Sequence, residues 1–264
     1  MAIGFIGLGN MAGAIIKGMR ADEAFKTAQI IGCDLDPEKG EYFRDQFGVL
    51  VLEGAAQVAQ QAKVLVLAVK PQGIAELLGQ IKSKLAEDRL IISIIAGKTL
   101  RFYAEHAGSG LPVVRAMPNI NAKARASATA LCGNAHVSDA MMKSAEGIFS
   151  SVGTVIPLTE DKLSAFSAVA GAGPAFVYLF IDALTTAGIR YGMPRALAQQ
   201  AACDMVLGSA KLVRETGEHP RALIDQVTSP GGTTIEGMHK LTELGFEHAV
   251  HMAVQAVIEK EAKV

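Results

Sequence analysis

Five short apolar runs, separated by segments of helical length, occupy the first part of the chain: Ile3–Ile6, Ile30–Cys33, Val64–Val69, Leu90–Ile95 and Val113–Met117. Each is four to six residues long. Runs of that length predict strands buried on both faces, the habit of a parallel sheet. One intervening segment opens with Asp36-Pro37-Glu38, an N-cap followed by proline at the first helical position. Another follows Pro71. Such alternation builds βαβ units and restricts the fold to a Rossmann-type, doubly wound, mostly parallel sheet. Ser127–Leu131 and Thr154–Ile156 are candidates for later strands, the first on weak grounds because alanine and serine are poor strand formers.

After Thr159 the strand pattern stops. Thr159 is placed to cap a helix beginning Glu160-Asp161-Lys162, and helical patterns follow over 174–191, 194–216, 220–228 and 232–262, the last interrupted near Gly245. The division expected is therefore 1–159 for the α/β domain and 160–264 for an all-helical one. Ala, Leu, Val and Met lie on several faces of these helices, and a helix apolar on several faces must be covered on several faces. A bundle of about 100 residues has too little interior for that. The expectation is a dimerisation domain that completes its core against a second copy.

Composition narrows the functional classes. Half the residues are apolar and 19% are charged, which excludes a disordered chain. The net charge is −1 with no basic stripe, so neither nucleic acid nor an anionic membrane is an expected partner. Cys33, Cys132 and Cys203 form no metal or redox motif and fit reduced thiols in a cytoplasm. The N-terminal stretch MAIGFIGLGNMAG lacks a basic leader and is broken by glycines. The longest apolar stretch, Ala175–Ile189, carries Asp182 and is shorter than a bilayer span. His248 and His251 share a helix face without a third ligand, so no metal is expected.

The first predicted strand runs directly into a glycine loop. Gly7, Gly9 and Ala12, with Asn10 and Met11 between them, give G-x-G-x-x-A. The first glycine permits a tight turn, the second admits a pyrophosphate to the backbone, and the third small residue lets the helix pack on the strand. The alternative is a glycine turn that binds no nucleotide. Asp34, closing the second strand, is placed to hydrogen-bond ribose hydroxyls and repel a 2′-phosphate, which favours NADH. Ala12, Lys39 and Arg44 point the other way, so the cofactor is written NAD(P)H. Ligands in such sheets lie beyond the carboxyl ends of strands. That rule selects Val69, Lys70, Pro71, Ala96, Gly97 and Asn119 as further cofactor-binding candidates. Lys70 is alternatively a solvated lysine and Asn119 a turn cap.

The remaining signal is SPGGTTIEGM, Ser229–Met238, where small and hydroxylated residues stand at the start of a helix. An open helix N-terminus suits a carboxylate, although an ordinary capped helix has the same look. Together with GFIGLGNMAGAIIKG, LAVKPQ, SIIAGKTL, RAMPN and AGAGPAFVYLFIDAL, this stretch resembles the pyrroline-5-carboxylate reductase family over nearly the whole chain. The resemblance implies reduction of 1-pyrroline-5-carboxylate, a cyclic imine, to proline by NAD(P)H. It also implies interlocked homodimers, often assembled into decamers, and a cytoplasmic enzyme. It places Gly231, Gly232 and Thr233 on the substrate carboxylate and Thr234 on the ring nitrogen. Ser229 either caps the helix or lines the pocket, and is grouped with Thr234 as a candidate catalytic residue. Departures are Gly171-Ala172-Gly173-Pro174-Ala175 where the family usually has serines, Ile120-Asn121-Ala122-Lys123 after Asn119, and Asp34 itself.

A β-hydroxyacid dehydrogenase shares the first block, but that chemistry needs a lysine near the first long helix of its second domain, and Ala172–Tyr178 has none. A non-catalytic dinucleotide sensor is a second alternative. A reductase for a six-membered imine is a third, because one methylene discriminates by only about 1–3 kcal/mol.

Overall fold

The computed structural model describes residues 2–262. The strands are β1 (Ala2–Ile6), β2 (Gln29–Cys33), β3 (Leu50–Val51), β4 (Val64–Leu67), β5 (Leu90–Ser93), β6 (Val113–Met117), β7 (Ser127–Gly133) and β8 (Gly153–Pro157). They form one sheet in the order β3-β2-β1-β4-β5-β6-β7-β8. Every pairing is parallel except β6 with β7. The order reverses beside β1, so the strand ends of β1 and β4 flank the switch point where such sheets bind ligands. The interleaved helices are α1 (Asn10–Arg20), α2 (Pro37–Phe47), α3 (Ala55–Gln61), α4 (Ile74–Ile81), α5 (Leu100–His106) and α6 (Asp139–Ser150).

The five apolar runs are the five central strands. Two end earlier than their apolar runs: β4 stops at Leu67 rather than Val69, and β5 at Ser93 rather than Ile95. The two-residue β3 escapes the apolar pattern because it is an edge strand with one exposed and one half-buried residue. β7 forms despite its alanines and serine, and reaches Gly133. Tertiary burial overrides propensity there: Ser127, Thr129 and Ala130 are buried between neighbouring strands, and the Ser127 and Thr129 hydroxyls bond each other at 3.0 Å. Two large apolar clusters and a small third one at Ala130, Cys132 and Leu163 form the core. One large cluster runs from Ile3 and Phe5 through Ile15, Ile16 and Met19 to Phe149, and the other through Ile31, Leu65, Leu67, Leu78 and Tyr103.

A helical run begins at Glu160 and contains a short 3₁₀ turn, α7 (Leu163–Phe166) and a π-turn at Ser167–Gly171, before α8 (Gly173–Arg190). Thr159 occupies the N-cap position but makes no backbone cap; its hydroxyl bonds the Asp161 carboxylate instead. The run Glu160–Arg190 has 31 residues and a mean hydropathy of 1.6 in its most apolar stretch. That length and composition are shared by bilayer spans and by core helices of soluble proteins, and the helix is longer than the Ala175–Ile189 stretch on which the expectation rests. The apolar run underestimates the helix because its polar ends are helical too.

By contacts the chain separates into two compact units. The first extends to Gly171 and takes in the end of the chain from Ile258; the second is Ala172–Val257. The second unit holds α8, α9 (Arg195–Thr216), α10 (Pro220–Val227), α11 (Thr233–Glu243) and most of α12 (Phe246–Glu261). Gly245, at φ +75°, separates α11 from α12. α8 packs along α9, where a side chain at Gly188 would stand 3.1 Å from the Ala198 methyl. Within this unit α10, α11 and α12 bury no residue.

Candidate active site

Gly7 adopts φ +94°, and a methyl there would lie 2.6 Å from the Ala68 carbonyl just beyond β4. Only glycine fits that turn. Its N–H donates to the Cys33 carbonyl at 2.9 Å, tying the loop to the end of β2. Gly9 is the N-cap of α1, without a side-chain cap, and has open space where a side chain would stand. Asn10 is exposed, Met11 half-buried and Ala12 buried against the core. An uncapped helix N-terminus with open space at its glycine is the cradle a pyrophosphate requires. The residues present therefore fit a dinucleotide.

Asp34 holds this loop rather than capping a helix. Its Oδ2 accepts from the Leu8 N–H at 2.7 Å and its Oδ1 from the Asp36 N–H at 3.0 Å, with the Lys39 ammonium 3.6 Å away. Asp36 is the cap of α2 that its sequence position suggests. Asp34 also adds to the burial that pushes the Cys33 thiol up to about 11.

The other strand ends contribute unequally. Lys70 is exposed at the start of a 3₁₀ turn, Pro71–Gly73, and Val69 is half-buried. Ala96 and Gly97 are exposed, with Gly97 at φ +75°. Between these loops lies a hollow of about 260 Å³ lined by Pro71, Gln72, Ile74, Ala75, Lys98 and Phe102. Lys98 stands over the Phe102 ring at 5.4 Å. Asn119 serves as the turn cap: its Oδ1 accepts from the Asn121 N–H, its Nδ2 donates to the Ala170 carbonyl at 2.8 Å, and the residue is buried. These contacts fit the turn-cap reading of its side chain.

Sequence reading missed an ion pair behind these loops. Arg115 in β6 pairs with Glu160 at 2.7 Å, and the same Glu160 oxygen accepts from the Leu100 N–H at 2.7 Å. Glu160 thus holds the end of the Ala96–Thr99 loop. The one available signal was a lone arginine inside an apolar strand. Ser93 and the buried Tyr103 hydroxyl bond beneath the same loop, and Ser93 also accepts from the Ile95 N–H. Burial raises the Tyr103 phenol above its ordinary value.

In the second unit, Ser229-Pro230-Gly231-Gly232 forms a type II turn. Proline and glycine fill the central positions, Gly231 has φ +67°, and the Gly232 N–H donates to the Ser229 carbonyl at 2.9 Å. Gly232 is the N-cap of α11 with no side-chain cap, and Thr233 and Thr234 are the first helical residues, both exposed. Ser229 does not cap this helix. It leans over Gly232, where an added methyl would meet its hydroxyl. The first-turn N–H groups of α11 lack intrahelical acceptors, so the turn presents donors to an anion. Among the described residues no group of three or more His, Cys, Asp or Glu is placed to hold a metal.

Comparison with known proteins gives a consistent picture. The family model for pyrroline-5-carboxylate reductase dimerisation matches residues 160–264, and one described as NADP oxidoreductase coenzyme F420-dependent matches residues 2–97. The pyrroline-5-carboxylate reductase of Escherichia coli (strain K12) is 42% identical over 261 residues, covering 99% of this chain and 97% of the relative. A crystal structure of 1-pyrroline-5-carboxylate reductase from Streptococcus pyogenes superposes with a TM-score of 0.89 at 34% identity, over 100% of this chain and 99% of that one. The Plasmodium falciparum pyrroline carboxylate reductase with NADP bound superposes with a TM-score of 0.91 at 28% identity, over 100% and 97%.

Proposed function

The chain belongs to the pyrroline-5-carboxylate reductase family, and from that premise we infer which of its residues carry the reaction. It is an NAD(P)H-dependent oxidoreductase that reduces 1-pyrroline-5-carboxylate to L-proline and forms a homodimer through its helical domain. The nucleotide supplies the hydride.

The observation that carries the assignment of residues is the uncapped start of α11. Gly231, Gly232 and Thr233 bind the substrate carboxylate through backbone N–H groups and the positive end of the helix dipole. Thr234, one residue further, hydrogen-bonds the ring nitrogen. Its hydroxyl has no useful acidity near neutral pH, so it orients the imine, and Ser229 lines the pocket beside it. A protonated imine is already an electrophile, and alignment is what remains for the chain to supply. Gly7, Gly9, Asn10, Met11 and Ala12 hold the pyrophosphate, and Val69, Lys70, Pro71, Ala96 and Gly97 face the nicotinamide half. Asp34, a carboxylate in the ribose position, supports NADH over NADPH.

Residues 1–159 form the dinucleotide-binding domain and 160–264 the dimerisation and substrate domain, a reading supported by the family match that begins at residue 160. The reaction closes proline synthesis in the cytoplasm, and dimers associate further into decamers. The test is loss of NADH or NADPH absorbance on mixing with pyrroline-5-carboxylate, with proline measured as product. Oxidation without proline, or turnover of a six-membered cyclic imine only, would move the substrate assignment elsewhere.

A further inference from the structure

The loop that joins β5 to α5, residues 94–99, is fastened at both ends. At its start the Ser93 hydroxyl accepts from the Ile95 N–H at 3.2 Å. At its end a Glu160 oxygen accepts from the Leu100 N–H at 2.7 Å, and the same oxygen takes the Arg115 guanidinium. Ser93 and Arg115 are partners in register across β5 and β6, so both fastenings start from one place in the sheet. Ala96 and Gly97, between them, are exposed.

Stability alone does not account for Arg115. Among the described strands it is the only charged residue, and its side chain is 11% exposed. An apolar residue of similar volume at that depth stabilises a strand at least as well as a buried ion pair does. What it cannot do is hold a carboxylate against a backbone N–H. We propose that Glu160, held by Arg115, is a positioning residue for hydride transfer: through the Leu100 N–H it fixes where Ala96 and Gly97 stand against the nicotinamide. The proposal rests on the reading that these two residues face that half of the cofactor. Hydride transfer tolerates little misplacement, so a loop freed at one end loses rate before it loses affinity.

The experiment is a single turnover, with full-length enzyme in excess over reduced cofactor and saturating pyrroline-5-carboxylate. Its rate constant does not depend on the fraction of protein that is folded. Glu160→Ala should slow it roughly tenfold or more. Glu160→Gln, whose amide oxygen accepts the same N–H, should stay within about threefold of the parent. Arg115→Met combined with Glu160→Ala leaves no unpaired buried charge, which protects folding, and should be as slow as Glu160→Ala. Binding of ADP-ribose, which lacks nicotinamide, should be unchanged in all three. An unchanged rate constant in Glu160→Ala or in the double variant would assign Glu160 to folding and overturn the proposal. Glu160→Gln as slow as Glu160→Ala, or weakened ADP-ribose binding, would also overturn it. Ala96→Leu tests the underlying reading. It should slow turnover by crowding the nicotinamide, and an unchanged rate would remove the loop from the cofactor whatever Glu160 does.

Discussion

The two units treat apolar residues in opposite ways. The first closes two large clusters and one small one around its sheet, with Phe5, Ile15, Ile16, Leu67 and Phe149 fully buried. The second is as rich in leucine, valine and alanine, yet its buried residues are few and small: Pro174, Thr185, Ala198 and Ala202. Leu179, Leu207 and Leu244 are 71%, 69% and 74% exposed in the single chain. A sheet wound on both faces is its own enclosure, whereas helices with apolar residues on several sides need a partner. The dimerisation family match over residues 160–264 says what that partner is.

The largest effect should come from charging the helical faces. Leu179→Asp with Leu207→Asp should give a monomer by light scattering and abolish activity, because a buried unpaired carboxylate costs several kcal/mol. A dimer that survives both would place the contact elsewhere. The first unit should fail by a different route. Gly7→Ala forces a methyl against the Ala68 carbonyl at a positive φ, and should cost about 2–4 kcal/mol in urea unfolding and raise the KM for NADH.

Smaller effects sharpen the contrast between a cofactor unit and a substrate unit. Thr234→Ala should lower turnover roughly 10–100-fold with NADH affinity unmoved; an unchanged rate removes Thr234 from the mechanism. Asp34→Ser should raise the NADPH-to-NADH preference by roughly tenfold and, by freeing the Leu8 N–H, weaken both cofactors somewhat. A fixed preference would leave Asp34 with the loop alone. The smallest effect concerns Cys33. Its thiol is pushed from 9.0 to about 11, first by burial and then by Asp34. The folded state holds that proton more tightly, so this stability is present below pH 9 and lost as pH rises through about 11. Cys33→Ala should flatten the alkaline limb of the stability curve by about 1–3 kcal/mol.

Much of this architecture is legible in residue patterns. The strand runs, the Asp36-Pro37 cap and the break at Gly245 are local signals, and each appears within two residues of its pattern. Short, exposed or small-residue elements such as Leu50–Val51 and Ser127–Gly133 are not, because their stability comes from neighbouring strands rather than from their own composition. The site divides in the same way. Ser229-Pro230-Gly231-Gly232 announces a turn and an open helix start from chemistry alone, but its serine cap does not form. Arg115 and Glu160 are 45 residues apart and meet only in the fold.

By itself the sequence determined the doubly wound class, the glycine loop, the cap of α2 and the threonines of α11, since each depends on backbone preferences and apolar periods within a few residues. Only the tertiary structure decided that Asp34 grips the Leu8 N–H, that Asn119 turns inward to the Ala170 carbonyl, and that Leu35 is left wholly exposed. Those outcomes depend on which donors and acceptors arrive together from distant segments, and hydrogen-bond partners 26 or 51 residues apart leave no trace in a local pattern.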